Sequence, residues 1–205
     1  DEFGLDQTRY FLMREVPFGN DGDFSRRAMI HRMNGDLAND LGNLSQRVLS
    51  MVFKNCEGVM PALPRAPKDD DAVMLAAADG LLEAVRAQMD KQAFHEAIRL
   101  IWQVVADANR YVDSMAPWGL KKTDPARMGE VLAVLAETIR QVAILVQPVM
   151  PESASRILDQ LGVEKEHRGF VQLAGNARID PGVTISKPEP VFPRYIDEND
   201  EQGGS

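Results

Sequence analysis

Cysteine is nearly absent from this chain: Cys56 is the only one in 205 residues. No internal disulfide can form, and a reducing, cytoplasmic setting is expected. Long apolar runs are missing as well. Stretches such as "VLAVLA" and "VAILV" fall far short of the roughly 20 residues that span a bilayer, so no membrane partner is expected. No signal peptide is visible. Histidine is scarce, and His31, His95 and His167 are too scattered for a metal box. Positive charge is in deficit: 23 Lys and Arg against 31 Asp and Glu give a net charge of -8. A nucleic-acid binder usually shows a basic face.

That deficit is uneven. "KDDDAV" and "YIDENDEQ" hold seven of the acidic residues, whereas Arg26, Arg27, Arg32 and Arg47 lie along one predicted helix. Chemistry-bearing motifs are equally sparse. "EKEH" offers a single Glu164–His167 pair, and a di-metal bundle needs two on facing helices. "NDGD" lacks the downstream ligands of a calcium loop. Neither a phosphate-cradling glycine loop nor a nucleophile elbow occurs. The residues predict no complete active site: no catalytic group, no metal and no cofactor in this chain. The opening "DEFGLDQTRYF" has no initiator methionine, so the chain is expected to begin within a longer protein.

What the sequence has in quantity is helical periodicity. A short helix is predicted over Asp6–Glu15, ended by the turn residues of "VPFGNDGD". A second starts with Asp23 or Ser25 as N-cap and runs to Cys56–Gly58. Its apolar residues Ile30, Met33, Leu37, Leu41, Leu44, Val48 and Met51 recur every three or four positions, a single buried stripe. A third segment spans about Asp70–Lys91 and a fourth about Ala93–Met115. A fifth starts at Pro125, suited to a first helical turn, and ends before Pro148. A short last helix is predicted in "ESASRILDQLG". The segment after Phe170 alternates like extended chain, and "DENDEQGGS" has the composition of a disordered tail. Four long amphipathic segments joined by short loops predict an all-α helical bundle.

Two places depart from this pattern. In "NDLGNLSQR", five of nine residues are Asn, Asp, Gly or Ser, each worse than Ala inside a helix and Gly by about 1 kcal/mol. Asp36, Asp40, Asn43 and Arg47 follow the apolar stripe displaced by one residue and line its flank. Asn43 and Arg47 sit four apart. An amide that donates and accepts beside a planar guanidinium suits the reading of an unpaired base. A plainer role is an ion pair from Arg47 to Asp40 or a neighbouring helix. The other place is "APWGLKK". Trp118, between Pro117 and Gly119 past a helix end, is a candidate stacking platform, with Lys121 and Lys122 available for phosphates. Its plainer role is a plug in the end of the bundle.

The order of "FGLDQTRYFLMREVPFGNDGDFS", "NGDLANDLGNLSQR", "ANRYVDSMAPW", "ILVQPVMPESASRIL" and "PVFPRYI" resembles the methionyl-tRNA synthetase family over nearly the whole chain. The resemblance implies a helical bundle of the class I aminoacyl-tRNA synthetase anticodon-binding type, with a short extended C-terminal segment. It implies four parts: residues 1–24 as the end of a stem-contact region, 25–163 as the anticodon-binding domain, 164–196 as the extended segment and 197–205 as an acidic tail. Within the family an asparagine, an arginine four residues on and a tryptophan read the CAU anticodon, and these match Asn43, Arg47 and Trp118. Partners implied are the anticodon loop of tRNA(Met) and a catalytic domain of the same enzyme, with ATP and Mg as that domain's requirements. The family's His-x-Gly-His and Lys-Met-Ser-Lys-Ser signatures do not occur here, so the methionine and ATP sites are expected upstream and this portion alone is expected to be inactive. A competing expectation is a helical protein–protein interaction module without RNA binding. A metal-dependent bundle oxidase is a third.

Overall fold

Proline and glycine set the helix boundaries, and the apolar stripes decide how the helices pack. The computed structural model describes residues 2–17, 19, 22, 24–174 and 177–196. The expected tail at 197–205 and the alternative cap Asp23 lie outside the described residues. Helix α1 is Leu5–Glu15. Ser25 caps α2 (Arg26–Arg32), its hydroxyl accepting from the Ala28 N–H, a contact worth about 1 kcal/mol. The chain then winds more widely, as a π-helix over Met33–Gly42, before α3 (Asn43–Asn55) resumes the tighter pitch. Next come α4 (Asp69–Asp79), α5 (Leu81–Met89), α6 (Phe94–Met115), α7 (Pro117–Thr123), α8 (Pro125–Val146) and α9 (Pro151–Gln160).

Helix α8 is the axis of the bundle. Its stripe was expected to be one-sided, but Val131 to Val146 is buried all round, the condition of a helix enclosed by others. Helices α3, α4, α6, α7 and α9 pack around it. The polar residues it carries inside are all engaged. Glu137, fully buried, accepts from Arg140 at 2.7 and 2.9 Å, from Gln141 at 2.9 Å and from the Ile179 N–H at 2.8 Å. Arg127 grips the buried Asp71 through two 2.6 Å bonds, and Tyr111 adds a third at 2.5 Å. Burial pushes the Asp71 carboxyl up, but these donors and the Lys68 N–H more than offset it, so it titrates below the usual range.

Three expectations are corrected. The segment predicted as one helix over Asp70–Lys91 is broken at Gly80, where the absence of a side chain weakens helix continuity. The stretch after Ala116, expected only as chain past a helix end, is itself a short helix, Pro117–Thr123. Ala116, at φ 41°, ends α6 in the left-handed region, and Pro117 restarts the chain as a first-turn residue. The C-terminal segment opens with two 3₁₀ turns, Lys165–His167 and Phe170–Leu173, before extending.

From residue 177 that segment is a strap across the bundle. It makes an isolated bridge between Val59 and Thr184. Gln160 and Glu189 exchange side-chain and backbone bonds of 2.9 and 3.0 Å, and Asn34 brackets the Tyr195 backbone at 2.8 and 2.9 Å. Helix α1 is fastened to the other side. Arg9 donates to the carbonyls of Pro148 and Val149 after α8, and the Asp6 carboxylate accepts from the Ser153 N–H in the first turn of α9. A carboxylate is favoured there by the helix dipole.

Candidate nucleic-acid interface

Asn43 and Arg47 occupy the first turns of α3. Leu44 and Val48, beside them in sequence, are buried against the core, which fixes the face that carries the polar pair. Asn43 is exposed. Arg47 reaches across to α6, where it donates to the Asp113 carboxylate at 2.7 Å. Its guanidinium carbon also lies 5.6 Å from the centroid of the Trp118 ring, within cation–π range.

Trp118 is 52% exposed. The left-handed turn at Ala116 and the buried Pro117 behind it seat the short α7 so that the indole stands out rather than plugging the bundle. Residues 71 positions apart in sequence thus meet at one solvent-facing end. The plainer role for Arg47, an ion pair to a neighbouring helix, is met at the same time through Asp113. Nothing in the periodicity singled out Asp113, although it stands five residues before the tryptophan in "DSMAPW". Its partner became visible only when α3 and α6 were placed side by side.

The flank of four is not uniform. Asp36 is turned inward: it accepts from the Tyr10 hydroxyl at 2.7 Å and from Arg32 at 3.2 Å. Burial first, and then Asp36, hold the Tyr10 phenol far above its ordinary range. Asp40 is half-buried, and its desolvation together with the nearby Asp36 raises its carboxyl. Carbonyls of the π-helix receive extra donors from α6, Trp102 at Asp36 at 3.1 Å and Asn109 at Asp40 at 3.5 Å. Of the four, therefore, Asn43 and Arg47 face outward, and the Asp36 carboxylate serves the packing of the wide turn. Lys121 and Lys122 are exposed on α7. Among the described residues, no group of three or more His, Cys, Asp or Glu side chains converges as a metal ion would require, and no helix is long and apolar enough to cross a membrane.

The bundle is threaded by one enclosed helix and shows an indole, a guanidinium and an amide at one end. Residues 1–49 match the model of class I tRNA synthetases (M). The particular family follows from the rest, since residues 61–203 match the anticodon binding domain of methionyl tRNA ligase. The chain belongs to the methionyl-tRNA ligase family. It is 53% identical to the methionine–tRNA ligase of Brucella suis over 98% of its own length and 39% of that protein's. Against the Mycobacterium tuberculosis (H37Rv) ligase it is 50% identical, covering 95% of this chain and 38% of the relative. The apo crystal structure of the M. tuberculosis methionyl-tRNA synthetase superposes with a TM-score of 0.92 at 48% identity, over 96% of this chain and 40% of that one. The chain therefore spans about 39% of the length of the curated relatives it matches.

Proposed function

We propose that this chain is the tRNA-recognition portion of a cytoplasmic methionine–tRNA ligase, and that Asn43, Arg47 and Trp118 read the CAU anticodon of tRNA(Met). The observation that carries the reading is the Arg47 guanidinium held against a half-exposed Trp118, one helical turn from the exposed Asn43. The indole stacks on an unpaired base. The amide and the guanidinium bond to the edge of the first anticodon base, cytosine, which offers both an acceptor and a donor. Arg47 leaves Asp113 to do so, and the exchange is cheap because an exposed ion pair is worth about 1 kcal/mol or less.

The division of labour follows the resemblance: residues 1–24 end the stem-contact region, 25–163 bind the anticodon and 164–196 strap the bundle. Methionine activation with ATP and Mg belongs to the remaining length of the enzyme, and the net negative charge is tolerable because base contacts rather than phosphates supply specificity.

The test uses the full-length enzyme. Loss of a stacking platform costs about 1–3 kcal/mol, so Trp118→Ala should lower kcat/KM for tRNA roughly 5- to 150-fold. Arg47→Gln should lower it as well. Methionine-dependent ATP–pyrophosphate exchange, which needs no tRNA, is the control. Unchanged kcat/KM in both variants would remove the site. An interaction module without RNA binding would instead show equal, weak affinity for stem-loops with CAU and with a changed first base.

A further inference from the structure

Helix α7, which carries the indole, has only seven residues. Isolated helices shorter than roughly 12 to 15 residues are marginal in water, so the place of α7 is set by what grips its ends. Before it, Ala116 turns into the left-handed region and Pro117 is buried. After it, Asp124 closes α7 and caps α8. One residue reaches both ends. The backbone N–H of Arg127 donates to the Asp124 carboxylate at 3.0 Å. The Arg127 Nη2 lies 3.7 Å from the sulfur of Met115, the last residue of α6.

The Arg127 guanidinium is suited to this double reach because each terminal nitrogen of its fork carries two N–H groups. Nη1 gives one to Asp71 at 2.6 Å and one to Glu130 at 3.2 Å. Nη2 gives one to Asp71 at 2.6 Å and turns the other to Met115. Tyr111, one turn before Met115 on α6, donates to the same carboxylate at 2.5 Å. Asp71 itself accepts from the Lys68 N–H at the start of α4. Arg127, Asp71 and Tyr111 are all buried, so their bonds are little contested by water. The end of α6 and the start of α8 are thereby tied to one point on α4, and α7 is slung between them. The indole is half exposed and takes its position chiefly from the backbone beneath it.

We infer that Arg127 is a positioning residue for anticodon reading. By tying Met115 to Asp124 it fixes α7 so that the Trp118 indole stands against the Arg47 guanidinium, 5.6 Å from the ring centroid. The inference rests on the proposed function and extends it to a buried residue that touches no RNA. Stacking and hydrogen bonding to one base need the indole and the α3 pair in register, and a misplacement of about 1 Å is enough to spoil such an alignment.

The test is aminoacylation of tRNA(Met) by the full-length enzyme, with methionine-dependent ATP–pyrophosphate exchange measured alongside. Arg127→Lys keeps a buried cation for Asp71 but lacks the planar fork. Met115→Leu keeps the volume and removes the sulfur. Arg127→Lys should raise KM for tRNA and lower kcat/KM by roughly 3- to 30-fold, within the range assigned to loss of the platform itself. Met115→Leu should act in the same direction and less strongly. The preference for CAU over a changed first base should narrow in both variants, while exchange stays at the parent rate. In a Trp118→Ala background Arg127→Lys should add no further loss, because the platform it places is gone. A merely structural role would lower kcat in both reactions, leave the KM for tRNA and the base preference unchanged, and overturn the inference. Equal losses with and without Trp118 would overturn it too. Should Arg127→Lys fail to fold, an unchanged KM and preference in Met115→Leu would do the same. In each of these cases the reading site stands as long as Trp118→Ala still weakens tRNA. If Trp118→Ala has no effect either, both fall.

Discussion

Arg127 and Arg47 show how differently one residue type is used in this molecule. Arg127 is buried and clamps the fully buried Asp71 with two bonds, while Tyr111 and Glu130 complete the set. Removing one member leaves an uncompensated buried charge, which typically costs 3–5 kcal/mol. Asp71→Asn should therefore lower the stability of the chain by several kcal/mol in denaturant titration, and Arg127→Met should do the same. The double variant should recover part of the loss, because neither charge is then left alone. Arg47, one-third exposed and paired to an exposed Asp113, is the opposite case. Arg47→Gln should leave the unfolding midpoint close to that of the parent, which separates its binding role from a structural one.

At the scale of elements, the π-helix is the feature on which the placement of the site depends. Gly42 closes it. A Cβ there would lie 2.8 Å from the Leu37 carbonyl oxygen and 3.4 Å from the Phe192 ring. The first contact is backbone and does not yield easily, so the wide turn must shift to admit any side chain. Gly42→Ala should cost about 1–3 kcal/mol in thermal unfolding. In the full-length enzyme it should weaken tRNA binding more than that loss of stability explains, since Asn43 is the next residue. Equal binding with lowered stability would detach the wide turn from recognition. Of the poor helix formers in "NDLGNLSQR", Gly42 has a packing reason, since it admits Phe192 and the Leu37 carbonyl.

For the whole molecule, the strap and the ion pairs beneath it join distant parts of the chain. Asp79 pairs with Arg178 on the strap at 2.7 Å and accepts from Gln141 of α8 at 2.8 Å. The Arg178 hydrogen bond, working against burial and aided by Gln141, holds its carboxyl below the usual range. Asp71 is lowered as well. A carboxyl lowered in the folded state contributes stability that is complete above its unfolded value, about 3.9, and is lost as pH falls through the folded value. Unfolding free energy should thus be flat with respect to these two groups near neutrality and fall below about pH 4. Asp79→Asn should make that acid limb shallower. An unchanged limb would show that the strap is not held through this pair.

The sequence alone determined the all-α class, the helix ends at Glu15 and Met115, the start at Pro125, and the core stripe from Met33 through Val48. Those follow from local rules, since apolar spacing and proline or glycine punctuation act within a few residues. It also brought Asn43, Arg47 and Trp118 forward as candidates, through the resemblance. Only the tertiary structure decided that Arg47 lies over Trp118 beside Asp113, that Asp36 turns to Tyr10, and that residues 33–42 wind as a π-helix. Each of these depends on a partner from another helix or on the cumulative twist of one. A spacing of three or four is equally consistent with an α-helix and with a wider turn until α1, α6 and the strap close around it.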